Sequence, residues 1–224
     1  MGVTVRRSLV LLGLFSASPA AAEVRFHLDA GLLTRSQLGV DLARLAGATG
    51  FGEASDATPV ALGLRLGFGV QLDDFEGAVD VGLAAGGLHL PNIEERYLGA
   101  QDDIGGSSTL TAGLRLMWVP MLDTDWQLLL GPQVAWQALG AASGVGQGNL
   151  TSLGLGGVVG FRWRTHEITP TLDGHLQVTA DGAAHLPFSV QVRRSASDVV
   201  FESQSPEGIF GSWGLGVSYC FGFR

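Results

Sequence analysis

Seven charged residues and two histidines recur at alternating positions within otherwise apolar segments: Arg25, His27 and Asp29, then Arg65, Asp80, Arg115 and Arg162, then Asp173 and His175. Carboxylates, imidazoles and guanidinium groups held together can pass protons, gate an ion path, or neutralise one another where water is excluded. A second set lies in polar, glycine-rich stretches: His89, Asp102, Asp103, Asp181 and His185. Such residues could do acid–base work or offer oxygen ligands to a hard cation. No ligand spacing recurs among them, however, and solvated acidic loops are the plainer reading. Cys220, the single cysteine, sits among glycines and reads as a small buried filler. The run Gly154 to Gly160 has the glycine content of a phosphate loop. It lacks the strand–turn–helix setting and is set aside.

The elements that must position the first set are strands, because period two is the rule wherever its members occur. The C-terminal stretch shows it most fully. Ile209, Trp213, Leu215, Val217, Tyr219, Phe221 and Phe223 fall on one face, and Ser212, Gly214, Gly216, Ser218, Cys220 and Gly222 on the other. Seven earlier segments repeat that grammar, at Val24–Leu33, Val60–Leu72, Gly77–Ala85, Leu110–Trp118, Trp126–Ala138, Leu153–Trp163 and Ile168–Val178. Their connections alternate between long and short. Leu38, Leu42 and Leu45 stand at helical spacing in the first long loop, and Asp73 to Glu76 reads as a tight turn. A loop over Pro91–Ser107, a short Pro120–Asp125 turn, a glycine-rich loop to Asn149, a turn at Thr165-His166 and a last loop over Asp181–Gly208 complete the chain. That last loop alternates through Leu186, Phe188, Val190, Val192, Val199 and Phe201, which predicts a projecting hairpin. A ten-stranded rival would instead turn at Asp181-Gly182. Pro132 and Pro170 fall inside strands, where each marks a bulge or a boundary.

The chain carries its own address. Arg6 and Arg7, the apolar run Leu9–Phe15 and Ala20-Ala21-Ala22 form a secretory signal over residues 1–22, which leaves 23–224 as one barrel domain. Hydrophobic residues make up 46% of the chain and charged ones 15%, against about 25% charged in an average soluble domain. With no apolar run long enough for a spanning helix, that hydrophobicity must be spread over alternating strands. All thirteen basic residues are arginine. Removing the signal takes two of them and no acid from a chain of net charge −8, leaving −10. An acidic chain without basic patches argues against nucleic-acid binding.

No position on the apolar face is charged, and every strand charge lies on the other. An eight-stranded barrel has an interior just wide enough to be filled by side chains, and five tryptophans among Leu, Val and Phe would overfill it. The apolar face must therefore point outwards, into lipid. Trp118, Trp126 and Trp163 then fall at the turn end with Tyr219, Phe221 and Phe223, and Trp136 and Trp213 at the loop end. These are the two aromatic girdles of a membrane barrel. On these features the chain resembles the small eight-stranded outer-membrane barrels of the OmpA and OmpX type, the opacity-like surface proteins.

The resemblance implies an all-β, antiparallel up-and-down barrel in the bacterial outer membrane, with both termini periplasmic. It further implies contact with outer-membrane lipid and lipopolysaccharide, and recognition of the last strand by the barrel-assembly machinery. That family ends on an aromatic residue, a part Phe223 plays here although Arg224 follows it. Asp29 with Arg65, and Asp80 with Arg115, lie at similar heights on adjacent strands and are predicted as interior ion pairs. Barrel-type lipid A deacylases place a catalytic His and Ser towards the membrane, and no outward strand position here is His. The function read from the sequence is a structural or surface-binding barrel with a filled lumen, no cofactor, and a protein partner possible at the last loop. The alternatives are a subunit of an envelope-spanning assembly and a narrow small-solute channel.

Overall fold

The computed structural model describes residues 24–48, 51, 60–86, 106–123, 125–169 and 171–223. The signal segment 1–22, His89, Asp102, Asp103, Pro170 and Arg224 lie outside the described residues. The strands are β1 Val24–Leu38, β2 Val60–Leu72, β3 Phe75–Gly86, β4 Ser107–Trp118, β5 Trp126–Ser143, β6 Gly146–Thr169, β7 Leu172–Arg194, β8 Val200–Ser203 and β9 Phe210–Phe223. Each of β1 to β7 pairs antiparallel with the next, β7 pairs with β9, and β9 closes on β1. The result is a closed eight-stranded barrel. The short β8 hangs on the far end of β7 as a hairpin arm.

The register fixes the shape. A hydrogen-bonded row from Leu186 on β7 passes Leu153, Trp136, Ala112, Val81, Leu66, Ala30 and Tyr219, then returns to β7 at Leu176, ten residues from its start. A stagger of ten over eight strands corresponds to a tilt of roughly 41°, so each residue climbs about 2.5 Å. Trp126 and Trp136 on β5, and Phe223 and Trp213 on β9, are each ten residues apart, or about 25 Å in height, which matches the apolar band of a membrane barrel. Between those levels Leu64, Leu66, Val79, Leu83, Leu114, Leu155 and Val217 are exposed on the outer wall. The wall is apolar outside, and within it the polar and charged residues are interspersed with two small buried apolar clusters, Met117, Val119, Leu129 and Val158, and Leu33, Ala61 and Ala84.

Several boundaries differ from the sequence expectation, for physical reasons. Glu76 belongs to β3 rather than to the turn, because Asp73, at φ 52°, completes a reversal of only two residues. β5 and β6 run on to Ser143 and Gly146, so the expected glycine-rich loop is a tight hairpin whose glycines lie in the ladder. β6 continues to Thr169 and β7 begins at Leu172, so the chain does not reverse at Thr165-His166. A register shift there instead makes Thr165 a bulged residue. Asp181-Gly182 lies inside β7, which removes the ten-stranded alternative and shortens the last loop. Pro132 interrupts the ladder to β4 between the Arg115–Gln133 and Trp118–Leu130 pairs without changing register, so it makes a gap and no bulge.

Above the upper tryptophans the wall turns inside out. β5, β6 and β7 extend past the other strands, and their inward residues change from Gln137 and Ser152 to Leu139, Ala141 and Leu150. On β7 a bulge at Phe188 (Ser152 opposite Pro187, Thr151 opposite Ser189) flips the parity, so Val190 and Val192 point inwards while Leu186 and Phe188 point out. Against this apolar inner face pack Val40, Leu42, Ala43, Ala46 and Phe51 of the first long loop, together with Phe210. Leu42–Leu45 is a single helical turn, α1, N-capped by the Asp41 side chain, which accepts from the Arg44 N–H at 2.9 Å. The loop end of the lumen is thus capped by a small apolar core.

Two outcomes follow. Folded barrel should migrate differently on a denaturing gel before and after boiling, and identical mobility would count against a closed barrel. Replacing Val190 and Val192 together with Asp should drive charge into the apolar cap and release the first long loop from it. That variant should keep the boiling-dependent shift yet lose protease resistance in the first long loop, as read by limited proteolysis.

Candidate functional site

The lumen is a column of paired charges. Towards the turn end, fully buried Arg162 on β6 makes a two-pronged pair with Glu76 on β3, Nη1 to Oε2 at 2.8 Å and Nη2 to Oε1 at 3.0 Å. Its Nε and Nη2 also donate to Gln177 Oε1, at 3.0 and 2.9 Å. The strands place these residues at one height on opposite sides of the barrel, and the fork geometry of guanidinium on carboxylate does the rest. His27 lies alongside, with Nε2 3.0 Å from Gln71 Oε1 and 3.8 Å from Glu76 Oε2, and Cys220 Sγ 3.6 Å from Nδ1. Cys220 is fully buried there and fills space against the imidazole.

Higher up, the structure brings Asp29 to Arg65 (Oδ1 to Nε, 3.5 Å) and Asp80 to Arg115 (Oδ2 to Nε, 3.0 Å). Arg65 also donates to Thr179 Oγ1 at 3.0 Å and Ser218 Oγ at 3.2 Å. Small residues make the room. A Cβ at Gly113 would come 2.8 Å from Asp80 Oδ2, and one at Gly216 would come 3.1 Å from Arg65 Nη1. Next, Arg35 Nη1 pairs with Asp181 Oδ1, and Gln133 Nε2 donates to the same oxygen at 3.5 Å. Just below the cap, buried His185 bridges two hydroxyls, Nδ1 to Ser152 Oγ at 3.1 Å and Nε2 to Ser212 Oγ at 2.8 Å, and stacks on Phe210 with ring centroids 4.9 Å apart.

Of the remaining expected lumen residues, Asp173 and His175 are buried near the turn end, and Arg25 is partly exposed there. With Arg164, Met121, Asp125 and Gln127 these three line a cavity of about 100 Å³, and Arg164 Nη2 donates to Asp173 Oδ1 at 2.8 Å. The girdle residues stand on the outer wall. Trp126 and Trp163 stack at 5.7 Å, Tyr219 meets Phe221 edge-on at 5.0 Å, and Trp118 and Phe223 are exposed at the same end. The Thr165 bulge also carries His166 to the outer surface beside Tyr219, Nδ1 3.5 Å from the phenol oxygen. The expectation of no outward histidine is corrected by that one residue.

Sequence reasoning missed Glu76, Arg35, Asp181 and the lumen place of His185. Parity alone could have found the first two: Glu76 shares the face of Asp80, and Arg35 that of Arg25 and Asp29. Asp181 and His185 were hidden by the assumption that the seventh strand stops at the membrane. Chemically, the Ser152–His185–Ser212 contact has a hydroxyl on each imidazole nitrogen and is sealed beneath the cap, which makes it a structural bridge.

No family model and no curated protein sequence matches the chain. Solved structures do. The outer membrane protein OprG from Pseudomonas aeruginosa matches with a TM-score of 0.55 at 16% identity, covering 91% of this chain and 97% of that one. Neisserial surface protein A matches at 0.48 and 12%, over 89% and 96%. The Escherichia coli outer membrane protease OmpT matches at 0.40 and 9%, over 89% and 96%. The likeness to OprG shows the fold, that of the small outer-membrane β-barrels. At these identities it carries nothing about activity.

Breaking one buried pair while leaving its partner charged is the costly change. Glu76→Gln should destabilise the barrel by about 3–5 kcal/mol in urea unfolding from lipid vesicles. The double change Glu76→Met with Arg162→Met should cost less than Glu76→Gln alone, because it leaves no lone charge. Additive losses would show that the two residues are not coupled.

Proposed function

We propose that this chain is an integral outer-membrane barrel whose lumen is a solid strut, and whose work is structural or surface-binding and is carried out at the loop end. The observation that carries this reading is the vertical series of four ion pairs, Glu76–Arg162, Asp29–Arg65, Asp80–Arg115 and Asp181–Arg35, closed above by the apolar cap. An ion entering this column would have to replace a partner in each pair, and breaking a buried pair costs several kcal/mol. The outer wall supports the membrane part of the reading, with two aromatic levels about 25 Å apart and exposed Leu, Val and Phe between them. Short turns and both chain ends share one side, which in such barrels is the periplasm. Outer-membrane lipid and lipopolysaccharide are then the surroundings, and the aromatic end of β9 is the part the assembly machinery would take.

Planar-bilayer recording tests the filled lumen. The purified barrel should insert without stable unit conductance steps. Reproducible steps of one size would replace this reading with the small-solute channel.

A further inference from the structure

At the tips of the two long hairpins lies a cleft of about 260 Å³, lined by Gln147, Arg193, Arg194, Ser195, Ser197 and Asp198. Every lining side chain is polar, and the set is rich in donors. Among the described lining residues, two guanidinium groups, two hydroxyls and one amide face a single acid. The frame is held in place. The Ser195 N–H donates to Val145 O at 2.9 Å and ties the β7–β8 tip to the β5–β6 tip, while the Arg194 guanidinium stands 5.0 Å over the ring of Phe51 in the apolar cap. In a chain with eight more acids than bases, adjacent arginines at a projecting tip are out of character.

Arg193 pairs with Asp198 at the surface, Nη2 to Oδ1 at 2.8 Å, with the arginine side chain 61% and the carboxylate 99% exposed. A pair that open contributes little, so an external anion can take the carboxylate's place. We propose that this cleft binds a tetrahedral oxyanion ester, phosphate or sulfate, carried on a sugar. Arginine forks suit such oxyanions, and the serine hydroxyls and the Gln147 amide can pair with ring hydroxyls.

The height of the cleft argues for sugar. Trp213 pairs with Gly182 on β7, slightly below it in height on tilted strands, and Arg194 lies twelve residues further along, one of them in the bulge, roughly 25 Å beyond the upper tryptophans. Phosphates at the membrane surface itself lie well below that level. In an outer membrane the material at that distance is carbohydrate. The assignment rests on the surface-binding reading of the barrel and names the chemistry it would bind.

The test is isothermal titration of the refolded mature barrel in detergent with glucose 6-phosphate, N-acetylglucosamine 6-sulfate, inorganic phosphate and glucose. Each variant is first checked for the boiling-dependent gel shift. Saturable binding of either ester supports the proposal when salt weakens it, Arg193→Gln lowers it about tenfold or more, and Asp198→Asn tightens it about two- to fivefold by releasing Arg193. The proposal falls if neither the parent nor Asp198→Asn binds an ester, or if Arg193→Gln binds as well as the parent. It falls equally if glucose binds as tightly as its phosphate. Inorganic phosphate binding as tightly as the ester would overturn the sugar assignment. Bilayer recordings on the same preparations keep the two readings apart: conductance steps count against the filled lumen, whereas lost ester binding over a silent lumen counts against this cleft alone.

Discussion

An arginine can stand inside an eight-stranded barrel only if the residue facing it is small and the residue beside it is acidic. Closure with a stagger of ten fixes the width of the lumen, and that width leaves little room to solvate a lone charge at the level of the column. The rest of the wall follows from that constraint. Asp80 has Gly113 across the ladder, Asp29 has Gly67 and Arg65 has Gly216 close by, so each charged side chain occupies volume that a glycine gives up. Each guanidinium in the column then finds a carboxylate on a different strand. Such pairs add little net stability over an apolar filling. They do make wrong registers expensive, since sliding one strand by a residue would carry its charge into lipid.

The outer face obeys the complementary rule and needs no such precision. Leu, Val, Phe and Trp on the lipid side are interchangeable over much of the belt. Only their ends are marked, by tryptophans on β5 and β9 set ten residues from an aromatic partner on the same strand. A wall specified loosely outside and tightly inside explains why the chain keeps the barrel fold while sharing only 16% identity with OprG.

Legibility in the sequence tracked the same division. Along the barrel wall the period of two fixes which face points outwards, and the Asp29–Arg65 and Asp80–Arg115 neighbours could be read from residues alone, whereas the choice between eight and ten strands could not. Errors gathered where the solvent changes. Glu76 and Arg35 were lost to boundaries drawn at turn-like residues, although their parity was that of the lumen. The Thr165 bulge was invisible, because one extra residue leaves no compositional trace and yet moves His166 to the outer wall. The extended tops of β5 and β6 read as a loop because glycine and polar residues are common there, as they are throughout the inner wall, whereas the alternation from Leu186 to Phe201 already marks the projecting β7–β8 hairpin.

The Phe188 bulge is where both rules meet. Leu186, Phe188, Val190 and Val192 form one unbroken alternation, and a regular strand would put all four on the outside, the last two above the lipid belt. Inserting one unpaired residue between Pro187 and Ser189 leaves the first two outside and turns the last two inwards, onto Leu150 and the residues around α1. On β5 and β6 the same inversion is written directly into the side chains, with Leu139 following Gln137 and Leu150 preceding Ser152. A membrane wall, apolar outside, thereby becomes the wall of a water-facing domain, apolar inside, without any strand ending. That inversion builds the cap on the lumen and carries the hairpin tips out to where Arg193 and Arg194 stand.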